Sequence, residues 1–306
     1  MKNIKIIILL TLISCQPSVP IFDEDNAYQL LLQQCEFGPR NPGSEGYDSC
    51  KSMIINTMKN YADTVILQDF TYKEEKNNNF YNGQNIIGRF NPNSKFQTMI
   101  SAHWDTRPWA DKDKDKNNHN KPILGANDGA SGVAVLLELA RIFSEKKPRV
   151  GVSLVFFDAE DLGVEGKSGT YCRGSDYFAR NLPFPKPNEA INLDMVGDKQ
   201  LTLPVERNSY SFHPKLVRKL WSRAKQMDLN AFVNKLDYAI YDDHVPLHEI
   251  AGIPAINIID FDYPNKDANY WHTMYDIPEN CSATSLGQVG KLMVEYVYHI
   301  SLNNLE

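Results

Sequence analysis

The sequence predicts a single α/β domain, a mixed central β-sheet covered by helices on both faces. Three observations carry that reading. Apolar, β-branched runs of strand length alternate with segments of helical period through most of the chain. Three strand-like runs follow one another early, which marks an antiparallel edge on an otherwise parallel sheet. No internal repeat and no proline- or serine-rich linker divides the 306 residues, so one domain suffices.

Taken in order, residues 25–35 place Tyr28, Leu31, Leu32 and Cys35 on one helical face. Ser44 can cap a second helix running to about Tyr61. Strand-like runs cover 64–72, 84–90 and 96–103, the first two separated by a polar turn at 73–79. Val133, Leu136, Leu137 and Ala140 keep helical spacing within 129–143. Then come a strand at 152–157, a helix at 174–180 and a strand at 190–196. A helix at 213–227, a buried-type strand at 253–259 opened by Pro254, and an amphipathic helix at 284–300 complete the domain.

The N-terminus reads as a processing segment. Lys2 and Lys5 supply positive charge, and residues 6–13 are apolar but too few to span a bilayer. Leu12, Ile13, Ser14 and Cys15 resemble a lipobox, so residues 1–14 are expected to be a lipoprotein signal peptide. Residues 15–24 would then be a linker behind a lipid-anchored Cys15, with the domain at 25–306. The expected location is the membrane surface of a bacterial envelope or periplasm. A formal net charge of −6 argues against a nucleic-acid partner. Cys35, Cys50, Cys172 and Cys281 form no C-x-x-C pair, which argues against a thiolate zinc site and leaves disulfide pairing open.

The polar tract 111–120 begins D-x-D-x-D, but Lys116 and Pro122 stand where a calcium loop needs glycine and glutamate. It is read as a solvated surface loop. Gly-x-Ser patterns lack nucleophile-elbow context, so a serine hydrolase is not indicated. His213 and His248 fall on helices away from other chemistry, and His244 is read as a pocket or structural residue.

Four segments place acids and histidines just past predicted strand ends, where open α/β sheets gather their ligands. They are His103–Trp104–Asp105, the turn from Asn127 to Gly132, Asp158–Ala159–Glu160–Asp161 and Asn192–Leu193–Asp194. Asp242–Asp243–His244 and Trp271–His272–Thr273 follow later. Imidazole and carboxylate together are a zinc donor set, and an acid next in sequence to a ligand can serve as a base.

As a set, H-x-D, N-D-G-A-S-G, the acidic pair after F-F-D, L-D-M-V-G and W-H-T resemble the M28 metallopeptidase-like fold. Within it the chain is most similar to the bacterial glutaminyl cyclases, from Phe37 to the last helix. The resemblance implies a zinc aminopeptidase-like fold and one zinc per chain, held by Asp128, Asp161 and His272. It implies Glu160 as general acid/base, Asp194 and Asp242 as hydrogen-bonding partners of the reacting groups, and Trp271 in the substrate pocket. In dinuclear aminopeptidases of this fold, His103 and Asp194 would help hold a second metal. Asp242, where those enzymes usually carry serine, and Trp271 beside the histidine ligand point to the cyclases. Tyr171 stands where a pocket tryptophan is expected. The implied substrates are peptides or proteins with N-terminal glutamine, and the chain is expected to act as a monomer. An M28-type aminopeptidase and a non-enzymatic zinc-binding surface lipoprotein are the alternatives.

Overall fold

The computed structural model describes residues 19–301 apart from residue 168. Cys15 and the signal segment lie outside the described residues. Two helices come first, α1 (Glu24–Glu36) and α2 (Glu45–Tyr61). The hairpin β1 (Thr64–Glu74) and β2 (Asn79–Phe90) is antiparallel throughout, from Thr64 opposite Arg89 to Glu74 opposite Asn79. Next are β3 (Gln97–His103), α3 (Ala130–Glu145), β4 (Gly151–Phe157), α4 (Arg173–Arg180) and β5 (Glu189–Asp194). β6 (Leu203–Val205), α5 (Arg207–Phe212), α6 (Pro214–Gln226), β7 (Phe232–Leu236) and α7 (His244–Glu249) follow. The last described elements are β8 (Ala255–Ile259), the short bridge of β9 (Pro264–Asn265) and β10 (Ala268–Asn269), and α8 (Ala283–Glu295), which runs on as a π-helical turn over Tyr296–Ile300.

The main sheet runs β1-β2-β4-β3-β5-β8. β4, β3, β5 and β8 are mutually parallel, and the β1–β2 hairpin supplies the antiparallel edge. Four parallel strands therefore deliver their carboxyl ends to one rim. β4 is apolar and buried on both faces, as a central parallel strand must be. Helix α3 is buried nearly all round, because it lies between the sheet and the layer of α1, α2 and α8. Helices α4 and α7 cover the other face over a second core that includes Phe157, Phe178 and Leu247.

Local chemistry explains the helix starts. Ser44 accepts from the Tyr47 N–H at 3.1 Å, and Ser282 caps α8 in the same way. Phe22, assigned to the linker by the sequence reading, is buried in the core, where a Cβ on Gly290 would meet its ring at 2.2 Å. Packing of the domain thus begins earlier than Asp25. The tract 111–120 is likewise not wholly a solvated loop. Asp113 is buried and accepts from the Met274 N–H at 2.9 Å, fixing the loop to the segment that carries His272.

Candidate metal and catalytic site

The site lies on the rim formed by the carboxyl ends of β3, β4, β5 and β8. Four of its turns pass through left-handed backbone on non-glycine residues: Ala159 (φ 56°), Cys172 (φ 56°), Met195 (φ 46°) and His272 (φ 56°). Such conformations are costly and persist where the surroundings impose them. Ala159 turns the chain leaving β4 and delivers Glu160 and Asp161. Asp105, buried past the end of β3, fixes that turn by accepting from the Glu160 N–H at 3.0 Å and the Asp161 N–H at 3.2 Å.

Asp128, Asp161 and His272 converge. Their ligand atoms lie within 4.8 Å of one another and all three residues are buried. His272 Nε2 is 2.9 Å from Asp161 Oδ1 and 3.6 Å from Asp128 Oδ2. Asp128 Oδ2 and Asp161 Oδ2 are buried without a hydrogen-bond donor. Two bare carboxylate oxygens and one imidazole fit a divalent cation of the zinc type. Arg107 braces the group from outside, donating from Nη1 to the Asp161 carbonyl at 3.0 Å.

His103 forms a neighbouring cluster with Asp128 and Asp194. Its Nε2 lies 3.1 Å from Asp128 and 3.2 Å from Asp194, and its Nδ1 lies 3.5 Å from Asp105. Glu160, Cys172 and Asp242 form a third, within 4.8 Å of one another. The Cys172 thiol donates to Glu160 Oε1 at 3.3 Å. Asp242 Oδ2 accepts from Asn257 Nδ2 at 2.5 Å and Asn192 Nδ2 at 3.2 Å. Those two asparagines face each other across β5 and β8, and Ser101 Oγ continues the rung at 2.8 Å from Asn192.

Electrostatics follow from burial. Burial, with the charges of Asp105 and Asp194, pushes Asp161 up to about 7 against the pull of Arg107 and His103. Burial and the Asp194 charge raise Asp242 to about 6. Glu160 is driven well above the carboxylate range by burial and by Asp161, Asp242 and Asp243, with His103 opposing. Burial, reinforced by Arg107, holds His272 well below the usual histidine value, which keeps its imidazole neutral as a metal ligand requires. So many crowded acids call for a cation.

A pocket of about 600 Å³ opens over the cluster. Glu160, Asp161, Asp194, Asp242 and His272 line its floor, and Tyr171, Ile240, Tyr241, Phe261 and Trp271 its wall. Trp271 stacks on the His272 ring at 3.7 Å and meets the Phe261 ring at a tilt, 5.1 Å between centroids. Every residue singled out as a ligand, acid or pocket residue therefore meets at one place. His213 and His248 stay away from it, His213 bonded to Glu189 at 2.9 Å and His248 stacked on Phe212 at 3.9 Å. His244 is buried, 3.3 Å from Glu206. Sequence reasoning missed Cys172, Asn257, Tyr241 and Phe261 at the site. Cys172 and the three other described cysteines are free and buried.

Fold and site together define a zinc-dependent exopeptidase-like α/β protein. The chain belongs to Peptidase family M28, whose model matches residues 85–297. It is similar to the glutaminyl cyclase of Tannerella forsythia, with 36% identity, a TM-score of 0.88, and coverage of 92% of this chain and 99% of that one. A Zn-dependent exopeptidase from Parabacteroides distasonis matches with 34% identity, a TM-score of 0.88, and coverage of 92% and 100%. The glutaminyl-peptide cyclotransferase of Boiga irregularis is 24% identical over 93% of this chain and 82% of its own length.

Proposed function

We infer that the protein is a zinc-dependent glutaminyl-peptide cyclotransferase, which converts the N-terminal glutamine of peptides or proteins to pyroglutamate and releases ammonia. The observation that carries this reading is the pair Glu160 and Asp242, whose carboxylates share one cluster beside the Asp128–Asp161–His272 group. Two proton-handling groups then face one end of a pocket whose wall is aromatic.

Asp128, Asp161 and His272 would hold the zinc, which would supply Lewis acidity toward an amide oxygen. The substrate's α-amine must be neutral to attack the side-chain amide carbon. Asp242, fixed by Asn192 and Asn257, is placed to accept a hydrogen bond from that amine. As the new N–C bond forms, Glu160 takes the amine proton, then delivers it to the departing nitrogen, which leaves as ammonia. Attack within one residue removes most of the entropic cost, so the wall of Trp271, Phe261 and Tyr241 has mainly to hold a folded glutamine.

The second reading, an aminopeptidase, is favoured by the adjoining His103–Asp128–Asp194 cluster, which shares Asp128 as a dinuclear site would. Against it stand Asp242, where the aminopeptidases of this fold usually carry serine, and Trp271 directly before His272. Incubation with a glutamine-initiated peptide separates the two. Loss of one ammonia from the intact peptide is expected, and release of free amino acid would establish the peptidase instead. Anchoring to the envelope membrane through an acylated Cys15, and action as a monomer, are further parts of the proposal.

A further inference from the structure

Asp276 lies four residues beyond the His272 position and is fully buried. Three consecutive main-chain N–H groups of the loop that presents Asp128 end on this one residue. The Ala126 N–H donates to its carbonyl oxygen at 3.4 Å, the Asn127 N–H to Oδ1 at 2.7 Å, and the Asp128 N–H to Oδ2 at 3.1 Å. The buried Tyr263 hydroxyl donates to the same Oδ1 at 3.1 Å.

The loop is locked from its other side as well. Arg40 donates to the carbonyls of Leu124 at 2.8 Å and Gly125 at 2.7 Å, and the Gly197 N–H donates to Asn127 Oδ1 at 2.7 Å. Gly125 adopts φ 64°, and a Cβ there would stand 2.6 Å from the Asp128 carbonyl. With these contacts made, the Asp276 grip decides where the Asp128 main chain sits relative to the loop of His272. A buried carboxyl facing only N–H and phenol donors is a poor device for stability alone, because its desolvation is costly.

We propose that Asp276 is a positioning residue that sets the separation of Asp128 and His272 and thereby the zinc affinity of the site. The proposal rests on those two residues being zinc ligands. Outer-shell partners of this kind change metal affinity by about 10–100-fold when altered.

The test is the zinc Kd of the full chain, measured by competition with a chelator well below the melting temperature. It is accompanied by Tm with and without zinc. Asp276→Asn keeps the size and leaves one acceptor oxygen for two N–H groups. It should raise the zinc Kd about 10–100-fold and shrink the rise in Tm that zinc produces. A merely structural role would lower Tm equally in both states and leave the Kd at the wild-type value, which would overturn the proposal. If Asp276→Asn does not fold, Tyr263→Phe decides. It keeps all three main-chain bonds and should weaken zinc binding by a smaller factor, and an unchanged Kd there is equally fatal. Asp128→Ala tells the two assignments apart. Loss of zinc in that variant, with wild-type affinity in Asp276→Asn, removes the positioning role alone. Retention of zinc removes the ligand assignment beneath it.

Discussion

His272 Nε2 stands 2.9 Å from Asp161 Oδ1, although the two residues are 111 positions apart, Asp161 following β4 of the main sheet and His272 the small β9–β10 pair. A neutral imidazole and a carboxylate at that distance, with a further bare carboxylate oxygen on Asp128, make a tridentate set with an open side. Protein purified without added zinc should carry close to one equivalent per chain. Asp161→Asn should lose zinc and turnover together, measured by metal analysis alongside activity. A zinc-replete Asp161→Asn protein would remove Asp161 from the ligand set.

Asp242 makes a different prediction, because its carboxylate is held by Asn192 and Asn257 and belongs to the Glu160 cluster. Asp242→Asn should retain zinc and slow turnover by about 10²-fold or more, as expected for a group that handles a proton or its hydrogen bond. Equal loss of zinc would make Asp242 a ligand instead.

Glu206 offers a pH test of stability away from the metal. Burial alone would raise its pKa, but His244 at 3.3 Å and donation from the Ser209 N–H and hydroxyl hold it down to about 2. A folded pKa below the ordinary 4.5 means the stabilisation is complete above that value. It is lost as pH falls from there toward 2. Glu206→Gln should therefore cost about 1–3 kcal/mol at neutral pH, and denaturant titrations should show the gap from wild type closing near pH 3. A gap independent of pH would contradict an ionised Glu206 held by these contacts.

Cys15 lies outside the described residues and is tested in cells. Diacylation gives stable membrane attachment where one chain would be marginal. Cys15→Ala should leave the protein unprocessed or release it from the membrane fraction. A soluble wild-type protein with a different mature N-terminus would end the anchoring proposal.

The sheet was legible because its strands are continuous apolar runs, and β4 needs no partner to be recognised. The site was legible because its acids and histidines follow those runs directly, and the M28 resemblance assigned the roles. Helices α5 and α7, six residues each, are too short to show a period. Arg40, between Pro39 and Pro42, carries no mark of burial in the sequence, yet its guanidinium is buried against three main-chain carbonyls. Asp276 is one acid in a loop, and only the folded chain shows three N–H groups converging on it. Cys172 entered as a disulfide candidate, whereas its thiol faces Glu160. Tyr171, where a tryptophan was expected, does line the pocket.

The most direct test is turnover of a glutamine-initiated peptide by Glu160→Gln, with zinc content and Tm measured on the same protein. The substitution removes the proton-accepting charge and keeps the size, and the main-chain bond from Glu160 to Asp105 does not depend on the side chain. Zinc at one equivalent, a near wild-type Tm and a kcat lower by about 10²–10⁴-fold, with a smaller change in KM, are the predicted results. Near-normal turnover by zinc-loaded Glu160→Gln would contradict the account.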